Sequence, residues 1–86
     1  MDWEDVSLVT RSQRREEVLK CLYEEPKMPS TIRDQTGRYF SEVSESLTEL
    51  VEAELAIRLN EDQKGRYYKI TKQGSEIVEY IQSEDD

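Results

Sequence analysis

Apolar residues along this chain recur first at a helical period and then, near the middle, at a period of two. Val18, Leu19 and Leu22 form a stripe within residues 12–25, and Ser12 stands where its hydroxyl can accept from the free N–H groups of a first turn. Pro26 and Pro29 stop that helix and hold an extended connection, with Met28 between them as an expected core plug. Ser30 is the expected cap of a short second helix anchored by Ile32. Gly37 follows Thr36, where a helix end favours a residue tolerant of positive φ. Ser41 is the expected cap of a longer helix. In it Val43, Leu47, Leu50 and Val51 fall at i, i+4, i+7 and i+8, one continuous apolar stripe. A short helix, a glycine turn and a longer helix make the pattern of a helix-turn-helix, whose second helix, here about 41–53, is the one offered to a DNA major groove.

The period then shortens. Leu55, Ile57 and Leu59 alternate with Ala56 and Arg58, which predicts a strand with those three on one apolar face. A polar connection over 60–65 leads to a second strand, Arg66–Tyr67–Tyr68–Lys69–Ile70, with Tyr68 and Ile70 inward and Tyr67 outward. Thr71 can cap a closing helix over 72–83, where Ile77, Val78 and Ile81 form a stripe expected to pack on the first helix. The expected fold is α+β, mainly α: a single winged helix-turn-helix domain of three helices, a β-hairpin wing at about 60–66 and a C-terminal helix. The order is α-α-α-β-β-α, with an optional short strand before the wing. Residues 1–10 are expected as an N-terminal arm, 11–83 as the domain and 84–86 as an acidic tail. The arm carries Trp3, Val6, Leu8 and Val9, too apolar for a plain tail, and Trp3 is expected to lie on the domain's own core or on a second subunit.

Composition narrows the function. With 86 residues, 35% hydrophobic and 37% charged, the chain has apolar material for one modest core. No apolar run approaches the ~20 residues that span a bilayer, and the acidic start lacks the apolar stretch of a signal peptide, so no membrane partner and a cytoplasmic location are expected. The single cysteine excludes an internal disulfide; Cys21 lies beside the first stripe and reads as an inert thiol rather than a redox sensor. Histidine is absent, which removes the usual Cys/His zinc sites, and no metal or other cofactor is expected. Nothing reads as an enzyme site. The carboxylates lie at helix-surface spacing, no glycine-rich phosphate loop is present, and Ser41, Ser44 and Ser46 are most simply caps or surface residues.

The pieces RREEVLKCL, PSTIRDQTG, SEVSESLTELVE and GRYYKITKQG together resemble the small archaeal winged helix-turn-helix proteins of the broad MarR/ArsR type, over roughly residues 11 to 80. That resemblance implies a cytoplasmic DNA-binding module, often dimeric and often a transcription regulator. The missing histidines argue against a metal sensor of the ArsR type. The resemblance also implies that a terminal helix often joins a dimer interface; Trp3, Val6 and Tyr80 are the corresponding candidates for a homodimer.

The net charge of −8 sets the main tension, because phosphate neutralisation supplies much of a DNA binder's affinity. Across residues 30–54 two cations, Arg33 and Arg38, face six carboxylates. Where Glu42 and Glu45 stand, DNA-binding members of the resembling group commonly carry a basic or amide residue. That departure counts against groove insertion; with the apolar stripe facing the core, the expected DNA-facing set is Ser41, Glu42, Ser44, Glu45 and Thr48 on the longer helix, with Ser30, Thr31, Arg38 and Tyr39 placed for phosphate contact. Lys64 and Arg66 flank Gly65 near the wing tip and complete the set. For Arg11, Arg14 and Arg15 the simplest expectation is surface pairing within their own helix, such as Arg14 with Glu17. The leading expectation is a DNA-binding transcription regulator acting on double-stranded DNA. The alternative is an acidic module of the same fold that binds a protein partner and no DNA. An acidic surface also suits a halophilic, salt-rich cytoplasm, since at about 1 M salt charges are screened beyond ~3 Å.

Overall fold

The computed structural model describes residues 1–59 and 66–84. Five helices and one antiparallel hairpin occur among them: α1 Trp3–Thr10, α2 Gln13–Glu24, α3 Pro29–Thr36, α4 Phe40–Glu52, β1 Ala56–Leu59, β2 Tyr67–Ile70 and α5 Lys72–Glu84. This is a winged helix-turn-helix, mainly helical, with one helix more than the expected order. The stretch 1–10 holds the additional helix: Asp2 caps it by accepting from the Glu4 N–H, and it buries Val6 and Val9. No helix of the described residues is long and apolar enough to cross a membrane.

The core is one cluster. Val18, Leu19 and Leu22 from α2, Ile32 from α3, Val43, Leu47 and Leu50 from α4, and Ile77, Val78 and Ile81 from α5 meet Val6, Val9, Leu55 and Ala56. Full burial of each large side chain contributes about 1.5–3 kcal/mol, so the stripes read from the sequence supply the main driving force. α2 is the central element and touches α1, α3, α4, α5 and β2. α5 packs on α2, as its stripe suggested. Ser46 departs from expectation: it is fully buried on α4 between Val43 and Leu47, and among the described residues its hydroxyl has no hydrogen-bond partner.

The turn inside the helix-turn-helix is fixed by backbone chemistry. Gly37 adopts φ 74° and its N–H closes on the Arg33 carbonyl at 2.9 Å. The Thr36 hydroxyl donates to the Ile32 carbonyl and accepts from the Arg38 N–H. The helix starts differ from the sequence reading. α3 begins at Pro29, with Met28 at its cap position and Ser30 inside the first turn, because proline's fixed φ suits a first helical position. α4 begins at Phe40, and the capping carboxylate is Glu42, which accepts from the Tyr39 N–H at 3.1 Å; Ser41 sits inside the turn. Ser12 and Thr71 do cap as expected, accepting from the Arg15 and Gly74 N–H groups.

The hairpin shows the largest correction. β1 starts at Ala56, and the register pairs Ala56 with Ile70, Ile57 with Lys69, Arg58 with Tyr68 and Leu59 with Tyr67. Ala56 and Arg58 therefore share the face of Ile70 and Tyr68, and Ile57 is exposed. Leu55 is buried, but it belongs to the turn that ends α4, where Glu54 takes a left-handed φ of 64°. The phase of the strand consequently does not run on from Leu55. The extra strand reduces to one residue: Lys27, in the α2–α3 linker, exchanges both backbone hydrogen bonds with Tyr68. The Lys27 ammonium is buried and donates to Glu24 and Gln35, each at 2.8 Å, tying the linker to α2 and α3. Met28 is half-buried rather than a core plug.

Two substitutions test this packing. A Cβ on Gly74 would run into the Leu55 carbonyl and come within 2.7 Å of Ile70 Cγ1. Gly74→Ala is expected to lower stability by about 3 kcal/mol, at the upper end of overpacking costs, read as a drop in the urea midpoint at constant slope. Glu42→Ala removes the α4 cap and is expected to cost about 1 kcal/mol in the same measurement. An unchanged midpoint for either would contradict the geometry.

Candidate nucleic-acid interface

Burying Val43, Ser46, Leu47 and Leu50 fixes the roll of α4, since each residue advances the helix by a set angle. What remains outside divides into two rows. Phe40, Ser44 and Thr48, spaced by four, face the hairpin. Ser41 and Glu45 lie on the neighbouring row and are exposed. The first row forms one wall of an open groove of about 550 Å³. Met28, Pro29 and Ser30 at the start of α3, Leu47 of α4, and Arg58, Arg66 and Tyr68 of the hairpin complete the lining. The lining holds three hydroxyl-bearing residues of α3 and α4, two arginines and, among the described residues, no carboxylate. The described lining thus carries two positive side chains and no negative one, in a chain of net charge −8.

Three of the four acids of α4, Glu42, Glu45 and Glu49, are engaged elsewhere, while Glu52 is exposed at its end. Glu45 and Glu49 approach Arg14 at 3.3 and 3.7 Å, and Glu49 also meets Arg15 at 3.2 Å. Arg15 donates through Nε to the Leu8 carbonyl at 2.8 Å, which joins α1 to the same cluster. Arg14 and Arg15 therefore pair across to α4 rather than within α2, correcting the expectation of an Arg14–Glu17 pair. Glu17 instead takes Arg38 in a two-pronged contact, 2.9 Å to Nε and 3.3 Å to Nη2, and Glu42 lies 3.6 Å from Nη1. The Glu17 hydrogen bond holds the Arg38 guanidinium above its ordinary value. Half-exposed pairs of this kind add only about 0–1 kcal/mol each, so their main effect is to turn carboxylates toward α2 and away from the groove.

The expected site residues consequently scatter. Ser30, Ser44, Thr48 and Arg66 come together in the groove. Tyr39 is 79% exposed at the tip of α4, and Thr31 and Ser41 are exposed nearby. Arg38 and Glu42 are occupied by the contacts above. Glu45 is exposed on the flank facing Arg14. Lys64 and the wing tip at 60–65 lie outside the described residues. Among the groove residues that the expected set omitted are Arg58, assigned as a spacer in β1, and Phe40, left outside the helix by taking Ser41 rather than Tyr39 as its cap. Both lost their signal through errors of phase.

The residues considered for a second subunit also have definite places. Val6 is turned into the chain's own core, which removes it from any outer surface. Trp3 packs edge-on against Tyr80, with ring centroids 5.3 Å apart, while remaining 63% exposed. Cys21 is half-buried, and burial pushes its thiol up, partly offset by the Lys27 charge. A thiol held neutral in this way is a poor nucleophile at neutral pH, in keeping with an inert role.

No protein-family model matches the sequence, and no curated protein matches it. Solved structures do. The reduced form of the transcriptional regulator YodB from B. subtilis superimposes with a TM-score of 0.84 at 18% identity, covering 95% of this chain and 83% of that one. The homodimeric winged helix-turn-helix DNA-binding domain of Mb0332 from Mycobacterium bovis, a possible ArsR-family transcriptional regulator, gives 0.80 at 22% identity over 94% and 75%. A mutant of ZitR from Lactococcus lactis gives 0.76 at 18% identity over 84% of this chain and 51% of its own. The chain thus spans about half the length of the ZitR chains it matches. At these identities the likeness is one of fold, and it establishes the winged-helix architecture for this chain.

Proposed function

We propose that the chain is a DNA-binding transcription regulator that seats α4 in the major groove of duplex DNA and lays the hairpin along the adjacent backbone. The carrying observation is the groove between α4 and the hairpin: it offers Ser30, Ser44 and Thr48 hydroxyls with Arg58 and Arg66, and no described carboxylate lines it. Hydroxyls suit both phosphate oxygens and base edges, and arginine suits phosphate. The regulators and the DNA-binding domain with which the chain shares its fold support the same reading. Glu42 and Glu45, the residues that opposed it in the sequence, serve as a helix cap and as a partner for Arg14.

One observation favours a second reading, an acidic protein-interaction module. Arg14, Arg15 and Arg38 are already paired with carboxylates, which leaves fewer cations for phosphate.

Fluorescence-anisotropy titration of labelled random duplex DNA, from low salt to molar KCl, tests the first reading. Binding is expected to weaken steeply with salt. Arg58→Ala and Arg66→Ala are each expected to reduce the slope of log K against log salt by about 1, the signature of one lost phosphate contact. Glu45→Arg separates the readings further, since it is expected to strengthen non-specific duplex binding but to weaken a complex with a basic protein. Absence of duplex binding at every salt concentration, also after selection from a randomised pool, would overturn the DNA reading.

A further inference from the structure

Phe40 is the residue of the groove that structural packing explains least. It is the first residue of α4, it is 49% exposed, and it takes no part in the core cluster or its packed margin. A phenylalanine half in water forgoes much of the free energy its burial would release, so nothing in the fold itself requires an aromatic ring at this position. Its place is specific: it stands four residues before Ser44 and eight before Thr48, on the row that faces the hairpin arginines.

Resting on the DNA reading above, we infer that Phe40 is a specificity-determining contact that packs against the 5-methyl group of thymine. Three observations converge on that ligand. The N-terminal residues of a recognition helix are those that reach base edges, and Phe40 opens α4. The apolar feature that a base pair displays in the major groove is the thymine C5-methyl, and phenylalanine is among the side chains that suit it. The ring is bordered by Ser44 and Thr48 and faces Arg58 and Arg66, a mixture complementary to a methyl group set among base acceptors and phosphates rather than to a wholly apolar partner.

The test alters the DNA before it alters the protein. The whole chain is titrated into four duplexes: alternating adenine–thymine, the same duplex with uracil in place of thymine, alternating guanine–cytosine, and that duplex with 5-methylcytosine. Uracil lacks the methyl group, and 5-methylcytosine restores it at the same ring position. Uracil is expected to weaken binding about fourfold for each contacted methyl, and 5-methylcytosine to strengthen it by a similar factor. Phe40→Ser is expected to abolish both differences, and Phe40→Leu to keep a part of each; circular dichroism checks that both variants fold. Equal affinities within both pairs for the unaltered protein would overturn the inference while leaving the DNA reading intact. An effect of uracil without one of 5-methylcytosine would also overturn it, because duplex flexibility rather than the methyl would then be responsible. Methyl sensitivity that survives in Phe40→Ser would reassign the contact and overturn the role of Phe40. Failure to bind any of the four, with no duplex selected from a randomised pool bound either, would remove the DNA reading and the inference with it.

Discussion

The burial of Val43, Leu47 and Leu50 against the core is the constraint on which the rest of this molecule depends. Those side chains are essentially inaccessible. Helical periodicity then decides what every other residue of α4 can do. Phe40, Ser44 and Thr48 are sent toward the hairpin, while Glu45 and Glu49 are sent toward α2, where Arg14 and Arg15 meet them. A rotation of the helix by one residue would place a row of carboxylates in the groove. Packing energy of several kcal/mol thus sets a charge pattern that surface ion pairs, worth far less, only trim.

This arrangement resolves much of the conflict between an acidic chain and a fold often used on nucleic acid. Net charge is a property of the whole surface, whereas phosphate recognition depends on local potential. Here Glu42, Glu45 and Glu49 of α4 are taken up by a helix cap and by inter-helix pairs, and the groove lining carries Arg58 and Arg66. The same pairing limits reach. Arg38, at the start of the helix, is held by Glu17 and is not free to stretch outward without breaking a two-pronged contact.

Much of the fold was legible in the sequence, because the apolar burial that dominates its stability follows a regular period. The stripes of α2, α4 and α5 and the glycine turn at Gly37 are local patterns, and each reappears in the structure. The misreadings arise where a short-range rule met a competing one. Ser30 and Ser41 looked like caps, but Pro29 pre-sets a helical first turn, and Glu42 reaches back to cap from the third position. Ile57 fitted an alternation continued from Leu55, but the left-handed turn at Glu54 resets the phase. The α1 helix has too weak a stripe to announce itself, and it is tertiary packing, chiefly on α2, that makes Val6 and Val9 core residues. The site was less legible than the fold. Arg58 and Phe40 join Ser30 only through tertiary contact. Arg15 and Arg38 likewise find their carboxylates 34 and 21 residues away along the chain, beyond the reach of any local rule.

The claim that the α4–hairpin groove is the working face is tested most directly by titrating a 15N-labelled sample with duplex DNA and following the amide resonances. The account predicts shifts concentrated at Ser30, Thr31, Phe40 to Thr48, Arg58 and Arg66, with the amides of α5 and the buried half of α2 nearly still. Shifts confined to α1 and α5, or none at a DNA excess, would contradict it.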